Sequence, residues 1–457
     1  MSCRRPSSSY LTSEGRLYHP YDPKAAMLFR SLPGAEWNGS GRYWSVSLHP
    51  GDRRRVLDVA QQLGVQVDPG LVLPPSPQAE RAVTAGLYPF QVEGVDWLSR
   101  RTRALLADEM GLGKSPQALL ALPEQAAALV VCPSCLKHNW KAEAARWRPD
   151  LTATVLEKKK DFRLPTAGEL LVVSYDCLPE EPDPSALASV YLIADEAHRL
   201  KSRSSKRSKR FRKLAKAAGA VWALTGTPLL NQAGELFDML TALGMAQETF
   251  GTFVQHLKLF NGQKGHWGGT VWGDPTPLAR ELLLRVMLRR FRADVLPQLP
   301  AKQYQTLVIP LPSGLLHEMD ELWGELREYL EERDELPPFH KMSAVRERLA
   351  RTRVKPLLEF VQLYEEQGEP LVVFSAHKGP VEALAGREGW SVITGDTPSA
   401  ERQAIVARFQ AGELKGVAAT IQAAGVGLTM TRASTVLFVD LDWVPANNVQ
   451  AEDRVCR

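Results

Sequence analysis

Long apolar runs are missing from this chain, and none approaches the ~18 residues of a membrane span. The first residues, Met1-Ser2-Cys3-Arg4-Arg5-Pro6-Ser7-Ser8-Ser9, hold none of the apolar segment a secretory signal requires. Cysteine is scarce too: Cys3, Cys132, Cys135, Cys177 and Cys456 make an odd, scattered set, which argues against a disulfide framework. Cys132-Pro133-Ser134-Cys135 has the spacing of a metal knuckle, but no second pair lies at a useful distance and His138 does not complete a set of four. Both thiols are expected in the loop after the strand Ala128-Leu129-Val130-Val131. An excess of charge of one sign is also lacking, since the net charge is only +4. Its distribution says more. Arg199, Lys201, Arg203, Lys206, Arg207, Lys209, Arg210, Arg212, Lys213 and Lys216 follow one another with no acidic residue among them. A solvated helix face usually carries both signs, so a surface that tracks phosphates is the favoured reading.

The chain has 457 residues, 44% of them hydrophobic and 24% charged, enough for about three ordinary globular domains. Residues 1–14 read as a disordered tail. Residues 15–69 read as a small α+β domain with a helix at 24–29, a turn at Asn38-Gly39-Ser40-Gly41, a strand over 42–48 and a helix over 53–63. Pro69, Pro74, Pro75 and Pro77 mark a linker over 70–85. From 86 to 246 short apolar strands (104–107, 128–132, 170–174, 190–194 and 221–224) alternate with helices, the signature of a parallel sheet. Residues 247–365 read as an inter-lobe insertion and helical connector. It is irregular over 250–300, ends in Leu288-Arg289-Arg290-Phe291-Arg292, and continues in an amphipathic helix from Leu315 to Leu330. Strand–helix alternation resumes over 366–457, with strands at 371–375, 390–393, 416–420 and 435–440 and a helix over 400–409. The fold class is therefore α/β: two tandem parallel-sheet lobes with a helical insertion between them, plus the small α+β N-terminal domain.

Three segments carry chemistry. Asp108-Glu109-Met110-Gly111-Leu112-Gly113-Lys114-Ser115 stands between the apolar run 104–107 and the helical stretch 117–122. Strand, glycine loop, Lys-Ser and helix is the order a phosphate cradle needs: backbone N–H groups close on phosphate oxygens, Lys114 adds a point charge, and Ser115 offers an oxygen to magnesium. Asp108 occupies the place of the first Gly of the general pattern. Tyr191-Leu192-Ile193-Ala194 then runs into Asp195-Glu196-Ala197-His198, which puts two carboxylates at the carboxyl edge of a sheet. Asp195 suits a magnesium ion and Glu196 the orientation of a water that attacks the γ-phosphorus. Leu224-Thr225-Gly226-Thr227-Pro228 follows another strand and suits a hinge. Near the C-terminus, Arg454 and Arg457 lie three residues apart on one helical face, as phosphoryl transfer exploits.

In this order the segments resemble the Swi/Snf branch of superfamily-two helicases, whose lobes are recA-like. Within that branch the chain is most similar to the HepA-related annealing helicases. Leu87-Tyr88-Pro89-Phe90-Gln91 resembles the branch's adenine-sensing segment, and further motifs match at 130–140, 195–198, 224–231, 393–410 and 418–457. MLRRFRADVLPQLPAKQ at 287–303 is similar to the annealing helicases' inter-lobe segment, and residues 15–69 to one copy of their accessory fork-binding (HARP-like) module. The resemblance implies ATP and Mg2+ as cofactors and double-stranded or branched DNA as partner, with a monomeric state. It implies that Gln91 and Arg103 contact the base, that Asp108, Glu109, Met110, Gly111, Leu112, Gly113, Lys114 and Ser115 form the phosphate loop, and that Gly427 meets the nucleotide from the second lobe. Arg454 and Arg457 would be the arginine fingers, and Lys201, Thr225, Arg402 and Thr420 would face the DNA path. The expected location is intracellular: the cytoplasm in a prokaryote or virus, the nucleus in a eukaryote.

Two departures stand out. Cys456 replaces the family's usual His, and the chain stops at Arg457 where the family continues with Ile-Gly-Gln and a bracing helix, so a truncated or shortened second lobe is expected. The readings left open are a DNA translocase with annealing or fork-remodelling activity, an ATP-gated DNA clamp with little turnover, and a protein-displacing ATPase of the same branch.

Overall fold

The computed structural model describes residues 9–455 except positions 21, 31, 33, 49–55, 58, 61–62, 69–73, 229–231, 267–268, 300–301, 310–319, 321–322, 325–326, 333–337 and 425–427. The N-terminal unit is a five-stranded sheet of β1 (Tyr10–Leu11), β2 (Arg16–Tyr18), β3 (Glu36–Asn38), β4 (Tyr43–Ser45) and β5 (Gln66–Val67), in the order β3-β4-β2-β1-β5. The helix Pro23–Arg30 packs on it through Ala25 and Phe29, with Leu11, Leu17, Val46, Val56 and Ala60 completing the core. Gly15 turns the β1–β2 hairpin at φ +80°, where a Cβ would lie 2.4 Å from the Val46 carbonyl. Tyr10 and Leu11, read above as tail, are thus a strand pairing with both β2 and β5. Of the helix expected over 53–63, positions 53–55, 58 and 61–62 lie outside the described residues.

The first lobe is a seven-stranded, all-parallel sheet in the order β14-β6-β11-β10-β7-β9-β8. Its strands are β6 (Arg103–Leu106), β7 (Ala127–Cys132), β8 (Thr152–Val155), β9 (Glu169–Ser174), β10 (Val190–Asp195), β11 (Ala220–Leu224) and β14 (Met287–Leu288). A two-stranded ribbon of β12 (Gln263–Lys264) and β13 (Thr270–Val271) stands apart. The strands read as unbroken apolar runs because both faces are covered. Leu129, Val131, Leu171, Val173, Leu192 and Val221 join a core with Phe211 and Leu236, whereas their neighbours Val130, Val172, Ile193 and Trp222 join a second core with Leu119 and Trp140.

Two parts of the chain differ from the sequence reading. Pro77–Thr84, placed in the linker, is a helix capped by Ser76 and packed through Ala79 and Ala82 against the helix Pro89–Ser99. Residues 250–300 are not irregular: helices Phe253–Leu259 and Pro277–Val286 bring Phe260 and Ala279 into the first core, and β14 closes the sheet edge beside β6. Most of the expected amphipathic helix over 315–330 lies outside the described residues. The second lobe is a four-stranded parallel sheet, β16-β17-β15-β18, built from β15 (Leu371–Ser375), β16 (Trp390–Ile393), β17 (Gly416–Thr420) and β18 (Thr435–Phe438), with the helix Ser399–Gln410 on one side.

The helix Lys114–Ala121 is anchored at its far end by two arginines. Fully buried Arg148 donates to the carbonyls of Leu119, Leu122 and Pro123 at 3.0, 2.9 and 3.0 Å, and Arg81 donates to those of Leu120 and Leu122. Cations there also meet the negative end of the helix dipole. Arg148→Ala strands several of these carbonyls in the core and is expected to cost about 3 kcal/mol in chemical denaturation.

Candidate active site

Register places the ends of β6, β11 and β10 on one level, since Leu106 pairs Leu224 and Leu224 pairs Asp195. The glycine loop, the Thr225 turn and the carboxylate pair therefore emerge together at the carboxyl edge. Gly111 (φ +82°) and Gly113 (φ +70°) make the loop's bends, and Gly113 caps the helix Lys114–Ala121. A Cβ on Gly113 would come within 2.4 Å of Gln91 Nε2, which donates to the Leu112 carbonyl at 3.1 Å. Gln91 is thus joined to the loop itself. Lys114 Nζ donates to the carbonyls of Asp108 (2.7 Å) and Glu109 (3.1 Å). Burial holds its pKa below the ordinary lysine value, against the opposing pull of Glu196, Asp108 and Asp195.

Asp108 does not line the cradle. Its carboxylate is fully buried and gripped by Arg290, with Nε to Oδ1 at 3.0 Å and Nη2 to Oδ2 at 2.5 Å, while Gln117 Nε2 donates to Oδ2 at 3.2 Å. Arg290 also donates to Gln117 Oε1 at 2.8 Å and to the Phe90 carbonyl. Glu109 is likewise engaged, accepting the Arg292 N–H at 2.5 Å on Oε2. An acid in place of the first glycine is thereby explained as one half of a buried ion pair that fixes the loop's root. Arg290 and Arg292 are the functional residues that sequence reasoning missed; their signal was the basic run 288–292.

Asp195 ends β10. Its Oδ2 accepts Trp140 Nε1–H at 2.7 Å and its Oδ1 accepts the Glu196 N–H at 2.9 Å. Burial first, then the Glu196 charge, pushes its pKa up to about 6. Glu196 sits in the left-handed region (φ 51°, ψ 50°), which a β-carbon-bearing residue adopts only when its surroundings hold it there. Its Oε2 is buried and accepts no hydrogen bond among the described residues, with His198 Nδ1 3.3 Å away. His198 Nδ1 also lies 3.3 Å from Thr225 Oγ1, and burial lowers its pKa to about 4, so the ring is neutral near pH 7.

The second lobe closes the site. On and just after the helix Pro445–Glu452, Gln450 Nε2 lies 3.4 Å and Arg454 Nη2 3.9 Å from Glu196 Oε1. Glu196 and Arg454, 258 positions apart in the sequence, meet at one carboxylate oxygen.

The other expected site residues fall variously. Arg103 is a correction: it begins β6, at the opposite edge of the sheet from the loop, and its guanidinium donates to the carbonyls of Ala215 and Ala218 at the end of the basic helix Lys206–Ala217. Thr225 is fully buried and accepts the Thr227 N–H at 3.2 Å, and Thr420 is 8% exposed, so neither presents a free hydroxyl to a DNA backbone. Arg402 braces its own loop through the carbonyls of Thr394, Gly395 and Thr397, and Lys201 pairs with Glu235 at 3.0 Å. Gly427 and Arg457 lie outside the described residues.

The donor set fits a metal–triphosphate. Two adjacent carboxylates of which one has a raised pKa, a buried carboxylate oxygen without a donor, and an enclosed ammonium all gain from a divalent cation and phosphate oxygens. Asp195 supplies a pH test. A carboxyl whose pKa is raised above its unfolded value of 3.8 stabilises the fold below that pH, and the contribution is lost as pH rises through about 6. A divalent cation offsets that loss but competes with the proton. Mg2+ affinity measured with bound nucleotide should therefore fall about tenfold per pH unit below pH ~6 and level off above it. Asp195→Asn should flatten the profile.

Comparison with known proteins agrees with this architecture. The family described as SNF2-related domain matches residues 90–317, and that described as helicase conserved C-terminal domain matches 352–457. The chain is 31% identical over 405 residues to the Xenopus tropicalis SWI/SNF-related matrix-associated actin-dependent regulator of chromatin subfamily A-like protein 1, covering 83% of this chain and 42% of that protein. It is 30% identical over 402 residues to the Bos taurus DNA annealing helicase and endonuclease ZRANB3, covering 82% and 37%. A Caenorhabditis elegans homolog of the first protein is 29% identical over 481 residues, covering 96% of this chain and 69% of that one. The chain thus spans less than half the length of the two vertebrate relatives. Among solved structures, the Sulfolobus solfataricus SWI2/SNF2 ATPase core in complex with dsDNA is 21% identical, with a TM-score of 0.40 and coverage of 81% of this chain and 85% of that one. Together, the two matched domains and the seam between the lobes identify the chain as a member of the SNF2-related family of helicase-like ATPases.

Proposed function

We propose that this chain is an ATP-driven translocase on double-stranded or forked DNA, with strand reannealing or fork remodelling as its output. The observation that carries the reading is the approach of Arg454, from one lobe, to Glu196 of the other. In this reading Lys114 leaves its loop carbonyls for the outer phosphates, and the loop amides of 111–115 hold the remaining oxygens. Ser115 and Asp195 would hold magnesium, which would neutralise negative charge on the phosphate groups. Glu196 orients the attacking water, and Arg454 stabilises charge that develops on the transferred phosphoryl group. Because Arg454 belongs to the other lobe, turnover and lobe closure are one event, and reopening after hydrolysis is the step that moves DNA.

Phosphate tracking falls to the helix Lys206–Ala217, where Lys206, Lys209, Arg212 and Lys216 are exposed, while Arg210 and Lys213 pair with Glu180 and Glu181. For the N-terminal unit the proposal is recognition of the branch. Trp37 is 53% exposed beside Trp44, and Arg16 lies over the Tyr43 ring, a surface on which unpaired bases stack. One relative, a DNA annealing helicase and endonuclease, supports the same output. Such an enzyme would work in the nucleus of a eukaryote or on the nucleoid of a prokaryote.

The test is ATP turnover with single-stranded, duplex and forked DNA. Forked DNA should stimulate most, and removal of residues 1–70 should abolish the preference for the fork while duplex stimulation remains. DNA binding with no turnover on any of the three would replace the motor by an ATP-gated clamp.

A further inference from the structure

Between the lobes, the segment after β14 touches both walls of the seam. Arg292 donates its backbone N–H to Glu109 Oε2 and its Nη2 to the Met110 carbonyl at 2.8 Å, both in the phosphate loop. The same Nη2 lies 3.3 Å from Asp453 Oδ1 in the second lobe. Ten positions later Lys302 Nζ donates to Asp453 Oδ1 at 2.8 Å and to Glu452 Oε1 at 2.6 Å, and the Tyr304 hydroxyl donates to Glu452 Oε1 at 2.8 Å. Asp453 is 2% exposed and stands at the carboxyl end of the helix Pro445–Glu452, where the helix dipole repels a negative charge. A carboxylate so placed needs its cations. Burial works against the charge on Lys302, but hydrogen bonds to Asp453 and Glu452 outweigh it and raise its pKa.

Asp453 is covalently next to Arg454 and three residues beyond Gln450, the two side chains that reach Glu196. We propose that Arg292, Lys302 and Tyr304 form a closure latch: as positioning residues they hold Glu452 and Asp453, and so set how far Arg454 and Gln450 extend to Glu196. Arg292 bonds the phosphate loop and Asp453 with one guanidinium, so the loop's shape is transmitted to the arginine without passing through nucleotide. The latch rests on the ATPase reading above and adds to it the residues that join the two walls.

The test is a double-mutant cycle in the full chain, Lys302→Ala and Asp453→Asn, with turnover at saturating Mg·ATP and duplex DNA and binding of a fluorescent ATP analogue. Each single change should lower kcat about 10–30-fold while analogue affinity moves less than about threefold, and the double variant should be no worse than the poorer single one. Lys302→Arg should return kcat to within about threefold of the parent. Multiplying losses in the double variant, or parental kcat in Lys302→Ala, would overturn the latch. Small-angle scattering without nucleotide separates the two claims. If Lys302→Ala enlarges the radius of gyration of a parent that hydrolyses no ATP, the latch stands and the ATPase reading falls. If the radius is unchanged, the latch falls.

Discussion

Arg454→Ala should lower DNA-stimulated ATP turnover by roughly 10³–10⁵-fold, the range an arginine at the transferred phosphoryl group provides. Nucleotide binding should change far less, because the cradle of Gly113, Lys114 and their neighbours belongs to the other lobe. Arg454 is 7% exposed and lies beside Glu196, and its backbone carbonyl accepts the Met430 N–H at 2.8 Å. The backbone is therefore held whatever the side chain, and truncation removes the guanidinium without releasing the segment. Arg454→Lys should recover little, since a compact ammonium on a shorter reach does not reproduce the planar fork. A loss of binding in parallel with turnover would point to collapse of the second lobe instead.

The second large effect is expected at Glu196. Glu196→Gln keeps the shape of the side chain and removes its charge, and turnover should fall by roughly 10²–10⁴-fold, as for removal of a positioned base. The left-handed backbone at Glu196 strengthens the case, because strain of that kind persists only where packing holds it. The substitution should also stabilise the protein when no metal is present. Asp195 has its pKa raised by burial and by the Glu196 charge, and loss of that charge should bring the Asp195 pKa down. Mg2+ affinity at pH 5 to 6 should then become less dependent on pH than in the parent. Unchanged turnover in Glu196→Gln would remove Glu196 from the mechanism.

Glu196 and Lys114 were visible in the sequence because their chemistry is local, whereas Arg454 stood out only as one of two arginines on a helical face and took its role from the family resemblance. A strand that runs into two acids, or a strand–glycine–lysine–helix succession, is complete within about a dozen positions and its geometry follows from strand and helix rules. The partners that fix those groups were not visible. Arg290 and Asp108 are 182 positions apart, and Lys302 and Asp453 are 151 apart, so neither pairing leaves a local pattern. Asp108 read as part of the phosphate loop until Arg290 appeared beside it, and Asp453 carried no reading before Lys302 did. Arg103 failed in the opposite sense. It stands five positions before Asp108, yet an extended chain covers about 16 Å in that interval, and this carries its side chain to the other edge of the sheet. Tyr10–Leu11 escaped because two residues are too few for alternation to register. The parallel sheets were foreseen from short apolar strands alternating with helices, and the strands at 371–375, 390–393 and 416–420 fall where that pattern placed them.

The proposed motor depends on a single phosphoryl-transfer site made of Lys114 and Glu196 from one lobe and Arg454 from the other. Its most direct test is an experimental structure of the chain with Mg2+, a non-hydrolysable ATP analogue and duplex DNA. The terminal phosphate should lie between Lys114 and Arg454, each within about 3 Å of its oxygens, with Glu196 facing the in-line water. A terminal phosphate held by Lys114 while Arg454 stays on the far side of an open cleft, in a complex active before the analogue was added, would contradict it.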